Sequence, residues 1–121
     1  MVGGMKTEAG KGRIIPLNDK IIPLAKNRYD ANKKYLINNK FGNHYTYGTY
    51  MNGNFNTCMG KLKMKHLPHD GRHTFASLMD SAGANDVCIK LIMGHSMKND
   101  TAKGTYPHKT LEELLTEVNK I

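Results

Sequence analysis

The sequence predicts a mainly α-helical fold that begins with a small β-hairpin or sheet, an α+β architecture. Apolar residues recur at helical spacing in the C-terminal half, and capping residues precede these runs. Near the N-terminus, a polar stretch with two glycines precedes a short apolar run, as in a hairpin. The chain has 121 residues, enough for one modest core, and no apolar stretch approaches the ~20 residues that span a bilayer.

The hairpin is expected over residues 1–17. The glycines Gly10 and Gly12 suit its turn because glycine adopts backbone angles that other residues avoid. Residues 13–17 follow as a strand, which Pro16 ends or places at a sheet edge because proline has no N–H to donate.

A helical body is expected over residues 18–109. Its first helix should start at Asn18, a good capping residue, and run to about Ala31. Residues 35–37 are a candidate for a short strand. Residues 46–60 place aromatic and apolar side chains on one helical face.

Two further helices are predicted in the second half of this body. The first covers about residues 70–82, and Gly83 is placed to end it. The second is capped by Asn85 and ended by Gly94.

A last helix is predicted over residues 110–121. Thr110 and Glu113 have the spacing of a capping box. Its apolar residues form one stripe: Leu111, Leu114, Leu115 and Val118. Such a stripe must be buried, either in its own chain or by self-association with a second copy.

Charge is distributed unevenly along the chain. Residues 1–66 hold twelve Lys and Arg against three acidic residues, a net charge of +9, whereas residues 67–121 have a net charge of −1. A basic half favours a polyanionic partner, and nucleic acid is the commonest one. A merely solubilising, lysine-rich surface is the alternative. The two cysteines and the absence of a signal-like apolar N-terminus favour the cytoplasm, with no membrane partner.

Reactive side chains are densest between His66 and Phe75, and three interpretations compete. His69 and His73 are four residues apart and would suit a metal, with Cys58 and Cys88 as further ligands, but no CxxC pair supports this. Metal-free phosphoryl transfer needs cationic donors, a nucleophile and an acid, which arginine, histidines and a tyrosine supply. The third interpretation is a set of ordinary surface and helix-end residues.

At these residues the chain resembles the tyrosine recombinases, the phage-integrase family. The stretch HDGRHTF at 69–75 resembles the H-x-x-R-H-T-F box of that family, and GHS at 94–96 resembles its L-G-H-S box. The segment 101–108, which ends YPH, resembles the nucleophile segment. Residues 6–17, which begin KT and end RIIPL, resemble the family's hairpin.

The resemblance implies a site-specific DNA recombinase that acts on double-stranded DNA without a cofactor or metal. Tyr106 would form a 3′-phosphotyrosyl link, and Lys6 would protonate the leaving 5′-oxygen. Arg72 and His95 would bind the phosphate, and His69 would assist proton transfer from the tyrosine. Tyr106 is also the only tyrosine after the His-x-x-Arg box.

The family has an arginine before the hairpin, and none precedes Lys6 here. We therefore expect residues 1–121 to be part of an integrase catalytic domain, truncated at the N-terminus, that cleaves DNA weakly or not at all by itself. A non-catalytic DNA-binding remnant and an unrelated helical interaction module are the alternatives.

Overall fold

A computed structural model describes residues 2–3, 11–95 and 108–121 of the chain. Its described elements are two short strands, six α-helices and one π-helical segment: β1 (Val2–Gly3), β2 (Arg13–Ile14), α1 (Ile22–Arg28), α2 (Tyr47–Thr49), the π-helix Tyr50–Phe55, α3 (Asn56–Leu62), α4 (Asp70–Ser81), α5 (Asp86–Met93) and α6 (Leu111–Val118). A single 3₁₀ turn, Asp19–Ile21, precedes α1. The predicted mainly helical character is confirmed.

The chain divides into two compact units. We call residues 1–20 and 72–121 the core unit, and residues 21–71 the basic unit. Within the part of the chain that the structure describes, no helix is long and apolar enough to cross a membrane.

The core unit is built around side chains from α4, α5 and α6. Its buried apolar residues come from all three helices: Met79, Cys88, Ile89, Ile92, Met93, Leu114 and Val118. The helix α4 ends as predicted at Gly83, whose φ is +65°. The Gly83 N–H donates to the Asp80 carbonyl and the Ala84 N–H to the Met79 carbonyl, at 2.9 Å each, so that the chain turns back toward the core.

The strands β1 and β2 pair antiparallel in the core unit, with Val2 opposite Ile14. The apolar run after β2 leaves the ladder at once, and Ile15 packs against the core instead. The predicted strand over 13–17 is therefore shorter than expected, because Pro16 is buried and has no N–H to extend the pairing. The turn residue Gly10 lies outside the described residues.

The predicted helix starts at Asn85 and Thr110 are confirmed. The Asn85 side chain accepts hydrogen bonds from the N–H groups of Val87 and Cys88. At α6, Thr110 and Glu113 form the complete capping box. This helix packs in its own chain, since Leu114 and Val118 are only 8% and 4% exposed.

Asn18 has a second role besides the one predicted. Its amide Nδ2 donates to the carbonyls of Val118 (2.8 Å) and Ile121 (2.9 Å), at the C-terminal end of α6. Its Oδ1 accepts from the Lys20 N–H at the start of the 3₁₀ turn, as expected of a residue that caps a helix. The helix predicted from Asn18 to about Ala31 is present over 19–28, as the 3₁₀ turn followed by α1, and it ends three residues earlier than expected.

In the basic unit, α1 ends where Asp30 begins a turn. The Asp30 carboxylate accepts from the Asn32 N–H at 3.0 Å, and this local bond replaces a helical one. That hydrogen bond, together with the charge of Lys33, holds the pKa of Asp30 below its usual value.

The predicted strand over 35–37 is wrong. Asn39, two residues later, accepts through its side chain from the N–H groups of Phe41 and Asn43. Its backbone N–H donates to the Asn43 carbonyl at 2.8 Å. The segment thus closes into a loop rather than extending beside another strand.

The helix predicted over 46–60 is present as one helical segment, 47–62, with a wider π-helical stretch in its middle. The Asn56 N–H donates to the Met51 carbonyl five residues earlier, which is the π pattern. The segment ends at Lys63, a non-glycine residue with φ of +54°. All residues of 21–71 are described, and none of them is buried.

Candidate active site

His69 lies in a closed turn directly before α4. The Asp70 N–H donates to the Leu67 carbonyl at 3.0 Å. In return, Oδ2 of Asp70 accepts from the Leu67 N–H at 2.9 Å, and His66 Nδ1 lies 3.3 Å from the same oxygen. The bond to the Asp70 carboxylate is one half of a capping-box pattern, and the other bond is an ordinary backbone turn. Together these bonds define the backbone of the turn, where His69 is exposed.

Arg72 occupies the first turn of α4. It precedes the half-buried Phe75 by three residues and the fully buried Met79 by seven, so it begins the core-facing side of this helix. Packing along that side orients the helix, and Arg72 itself is half-buried. The first turn of a helix favours anions, and a guanidinium offers two parallel donors to a phosphate. His73, the next residue, is exposed.

His95 follows the end of α5. Gly94 adopts φ of +68°, its N–H donates to the Leu91 carbonyl at 3.1 Å, and the His95 N–H donates to the Lys90 carbonyl at 2.9 Å. These two bonds form a Schellman motif, which defines the direction in which the chain leaves the helix. His95 is exposed, whereas the last residues of α5 before it are buried.

The structure thus brings two of the predicted site residues, Arg72 and His95, into the core unit, each at the end of a packed helix. His69 is adjacent in sequence to the beginning of the Arg72 helix. Lys6 and Tyr106 lie outside the described residues. The same is true of the rest of the expected nucleophile segment up to Pro107.

The cysteines do not support the metal interpretation. Cys88 is 1% exposed between α5 and α6, and burial raises the pKa of its thiol. Cys58 is exposed on α3. Among residues 2–3, 11–95 and 108–121, no group of three His, Cys, Asp or Glu side chains is arranged to hold a metal ion.

Positive charge is concentrated in the basic unit. Residues 21–71 hold eight Lys and Arg against two acidic residues, a net charge of +6, whereas the core unit has a net charge of +2. Large side chains are exposed beside these cations. Lys40 lies 5.0 Å from the ring centroid of Phe41, which is 75% exposed, and Lys34 lies 5.6 Å from that of Tyr35. Cations beside aromatic rings, of which Phe41 is exposed, suit a nucleic-acid surface.

Two residues with long-range roles escaped the sequence analysis. Arg13 donates from Nε to the Ile92 carbonyl at 3.0 Å, across 79 positions of sequence. Asn18 holds the end of α6 across 100 positions. The segment that resembles the family's hairpin contains Arg13, which marked it as a residue of interest. The motif did not indicate which group Arg13 contacts.

Comparison with known proteins decides the family. The family model for the phage integrases matches residues 2–113. The chain belongs to the phage integrase family. This membership confirms the resemblance that the His-x-x-Arg and Gly-His-Ser boxes indicated.

Curated relatives are named tyrosine recombinases. One, "Tyrosine recombinase" of Thermosipho africanus (strain TCF52B), is 27% identical over 122 residues, which cover 97% of this chain and 42% of that protein. Another, "Tyrosine recombinase XerC" of Pelobacter propionicus, is 28% identical over 134 residues, with 99% of this chain and 42% of the relative covered. The chain therefore spans about two fifths of the length of these relatives. No solved structure matches it at a significant level.

Proposed function

We propose that this chain supplies strand-cleavage residues of a site-specific DNA recombinase that integrates or excises a mobile element, and that by itself it cleaves DNA weakly or not at all. The observation that carries this proposal is the family match over residues 2–113, which spans every proposed site residue. Residues 1–121 would form part of the catalytic domain: a hairpin (1–17), a helical body with the site motifs (18–109) and a C-terminal helix (110–121).

In the proposed reaction, the Tyr106 phenolate oxygen attacks the scissile phosphorus. The new bond is a 3′-phosphotyrosine, and the bond from phosphorus to the 5′-oxygen breaks. Lys6 gives a proton to that leaving oxygen, while His69 assists removal of the phenol proton. The attack reverses with a different 5′-hydroxyl, which rejoins the strands without a cofactor.

Arg72 and His95 would stabilise the charge that develops on the non-bridging oxygens. Support comes from their placement: both lie at ends of helices whose inner faces are buried, and neither is enclosed. Donors held in place before the reaction lower the barrier because no reorganisation is needed at the transition state. Their exposure leaves room for a duplex to approach.

Double-stranded DNA is the proposed partner, and the basic unit is the proposed source of non-specific affinity. Its net charge of +6 predicts binding that weakens steeply as salt rises. The reversals Lys61→Glu and Lys65→Glu, both at exposed positions, should each weaken binding and reduce the salt slope by about one. Lys20→Glu in the core unit is the matched control. Unchanged affinity between low and high salt would contradict this assignment.

Covalent capture tests the chemistry. The full chain is incubated with nicked duplexes that carry a randomised segment, and DNA linked to protein is recovered under denaturing conditions and amplified, so that weak cleavage is visible. Any capture should be weak, should disappear in Tyr106→Phe and should fall strongly in Arg72→Gln. Salt-dependent binding without any capture would instead favour the second candidate, a non-catalytic DNA-binding protein, which the charge of the basic unit supports.

A cytoplasmic location and self-association through residues 110–121 also belong to this proposal. In the structure, α6 is held in its own chain, so that exchange with a second copy would first have to release Leu114 and Val118 from the core. Solution mass across a concentration series tests the exchange. Dimers at high concentration would support it, and a monomer throughout would contradict it.

A further inference from the structure

The C-terminal end of α5 receives a side-chain donor from a distant part of the core unit. The last four carbonyls of a helix have no partner within it. At α5, the Schellman motif pairs the carbonyls of Lys90 and Leu91 with backbone N–H groups. The Arg13 guanidinium donates to the Ile92 carbonyl at 3.0 Å. Ile92 is only 6% exposed, so this carbonyl lies at the edge of the core, where an unfilled acceptor is costly.

Charge adds to this bond. The carbonyl end of a helix carries partial negative charge, and a guanidinium placed there is favourable. Hydrogen bonds with one charged partner are stronger than neutral ones. Arg13 is half-buried and belongs to β2, whose other residue, Ile14, pairs with Val2.

We propose that Arg13 is a positioning residue that holds the end of α5 and thereby fixes the backbone from which His95 projects. His95 is three residues beyond the carbonyl that Arg13 binds, and its own N–H completes the motif next to it. The functional part rests on the proposed role of His95 as a phosphate donor. The structural part does not, since it concerns the helix end alone.

The chain offers an internal control for this proposal. The end of α4 has the same two backbone bonds, at Gly83 and Ala84, in the same core unit. A loss of overall stability should affect both helix ends, whereas loss of the Arg13 contact should affect the end of α5 alone. Backbone amide exchange, measured by NMR, reports both ends at once.

Two substitutions separate the hydrogen bond from the packing of the side chain. Arg13→Gln keeps a nitrogen at the position of Nε, and Arg13→Met keeps the length with no donor. We expect Arg13→Met to speed exchange at the Gly94 and His95 amides about tenfold relative to Gly83 and Ala84, and Arg13→Gln to restore most of the protection. Equal acceleration at both helix ends, or none at either, would overturn the proposal.

The unaltered protein gives a second test that does not depend on a foldable variant. The Nε–H of Arg13 should exchange more slowly than that of Arg28, which is exposed on α1. Equal exchange would overturn the proposal even if Arg13→Met did not fold.

A ring-shift titration separates this proposal from the proposed function. When a short duplex of arbitrary sequence is added, the His95 ring signals should shift in the unaltered protein and in Arg13→Gln. This response should be lost in Arg13→Met. Ring signals that respond equally in all three proteins would overturn the functional part of the proposal. A His95 ring that responds in none of them would contradict its role as a phosphate donor, while the amide exchange still decides the role of Arg13.

Discussion

The core unit and the basic unit differ in what holds them together. In the core unit, three helices bury apolar side chains against one another, and side chains or glycine turns complete their ends. In the basic unit, residues 21–71 are all described and none is buried, and apolar residues such as Leu24 and Phe41 are 66% and 75% exposed. The basic unit instead shows local turns and contacts between aromatic rings, such as that between Tyr50 and Phe55.

This difference matches the two tasks of the proposed function. Arg72 and His95 lie at ends of packed helices, where burial of the inner face restrains the backbone. Most of the net positive charge lies in the unit without buried residues. Long-range attraction to a polyanion needs charge but little precision, whereas contact with a single phosphate needs rigid placement.

The largest effect is expected from truncating the core. Met79 is 0% exposed, so Met79→Ala should lower the free energy of unfolding by about 3 kcal/mol, through lost burial and the cavity that remains. Leu24→Ala, at a 66% exposed position of the basic unit, should change it by less than about 0.5 kcal/mol. Urea titration measures both. Equal losses would erase the distinction between the units.

The next effect concerns the contact between Asn18 and the end of α6. Asn18→Asp keeps the oxygen that accepts from Lys20 but replaces the Nδ2 donor by a carboxylate oxygen that faces two carbonyls. We expect a loss of about 2 kcal/mol, because a buried donor pair is removed at the negative end of a helix. Thermal unfolding measures it, with the exposed substitution Asn54→Asp as control. A loss no larger than that of the control would show that this contact contributes little.

Substitutions at two helix ends should have smaller effects on stability, of opposite sign in the two units. Lys63→Gly should stabilise the basic unit by about 1 kcal/mol, since glycine adopts φ of +54° without steric cost. Gly83→Ala should destabilise the core unit by a similar amount through backbone strain alone, because a Cβ there meets no atom within 4 Å. Urea denaturation followed through NMR signals of residues in each unit would detect both changes in stability. The same sign at both positions would contradict the left-handed conformations.

The smallest effect is the pH dependence that one carboxylate of the core unit, Glu117, contributes. Hydrogen bonds from Lys120 and from the Asn85 N–H hold the pKa of Glu117 below its ordinary value of 4.5. The folded state therefore binds this proton less readily than the unfolded state, so the stabilisation is present above that value and lost as the pH falls through the lowered pKa. Stability measured from about pH 6 to about pH 3 should decline less in Glu117→Gln. Parallel declines would contradict the assignment.

What the sequence predicted well were features with local causes. The Asn85 and Thr110 caps and the Gly83 and Gly94 helix ends depend on residues within one turn, and the family boxes are short and contiguous. The contacts of Arg13 and Asn18 were not predicted, because their partners are 79 and 100 positions away and are backbone carbonyls without any residue signature.

The failures in the basic unit have another physical cause. Residues 35–37 include Tyr and Ile, which favour strands, but no partner strand is present among the described residues. The Asn39 side chain instead accepts hydrogen bonds from the neighbouring backbone N–H groups, which forms a loop. Helical spacing over 46–60 gave the correct element. It gave no sign of the π-helical stretch, which depends on where the Met51 carbonyl finds its donor.

Hydrogen exchange along the whole free chain is the most direct test of the contrast between the units. We predict that amides in residues 72–81, 86–93 and 111–118 exchange slowest and report global unfolding. Those in 22–28 and 47–62 should exchange at least about a hundredfold faster. Equal protection in both sets would contradict the account, since the basic unit would then be as stable as the unit that carries Arg72 and His95.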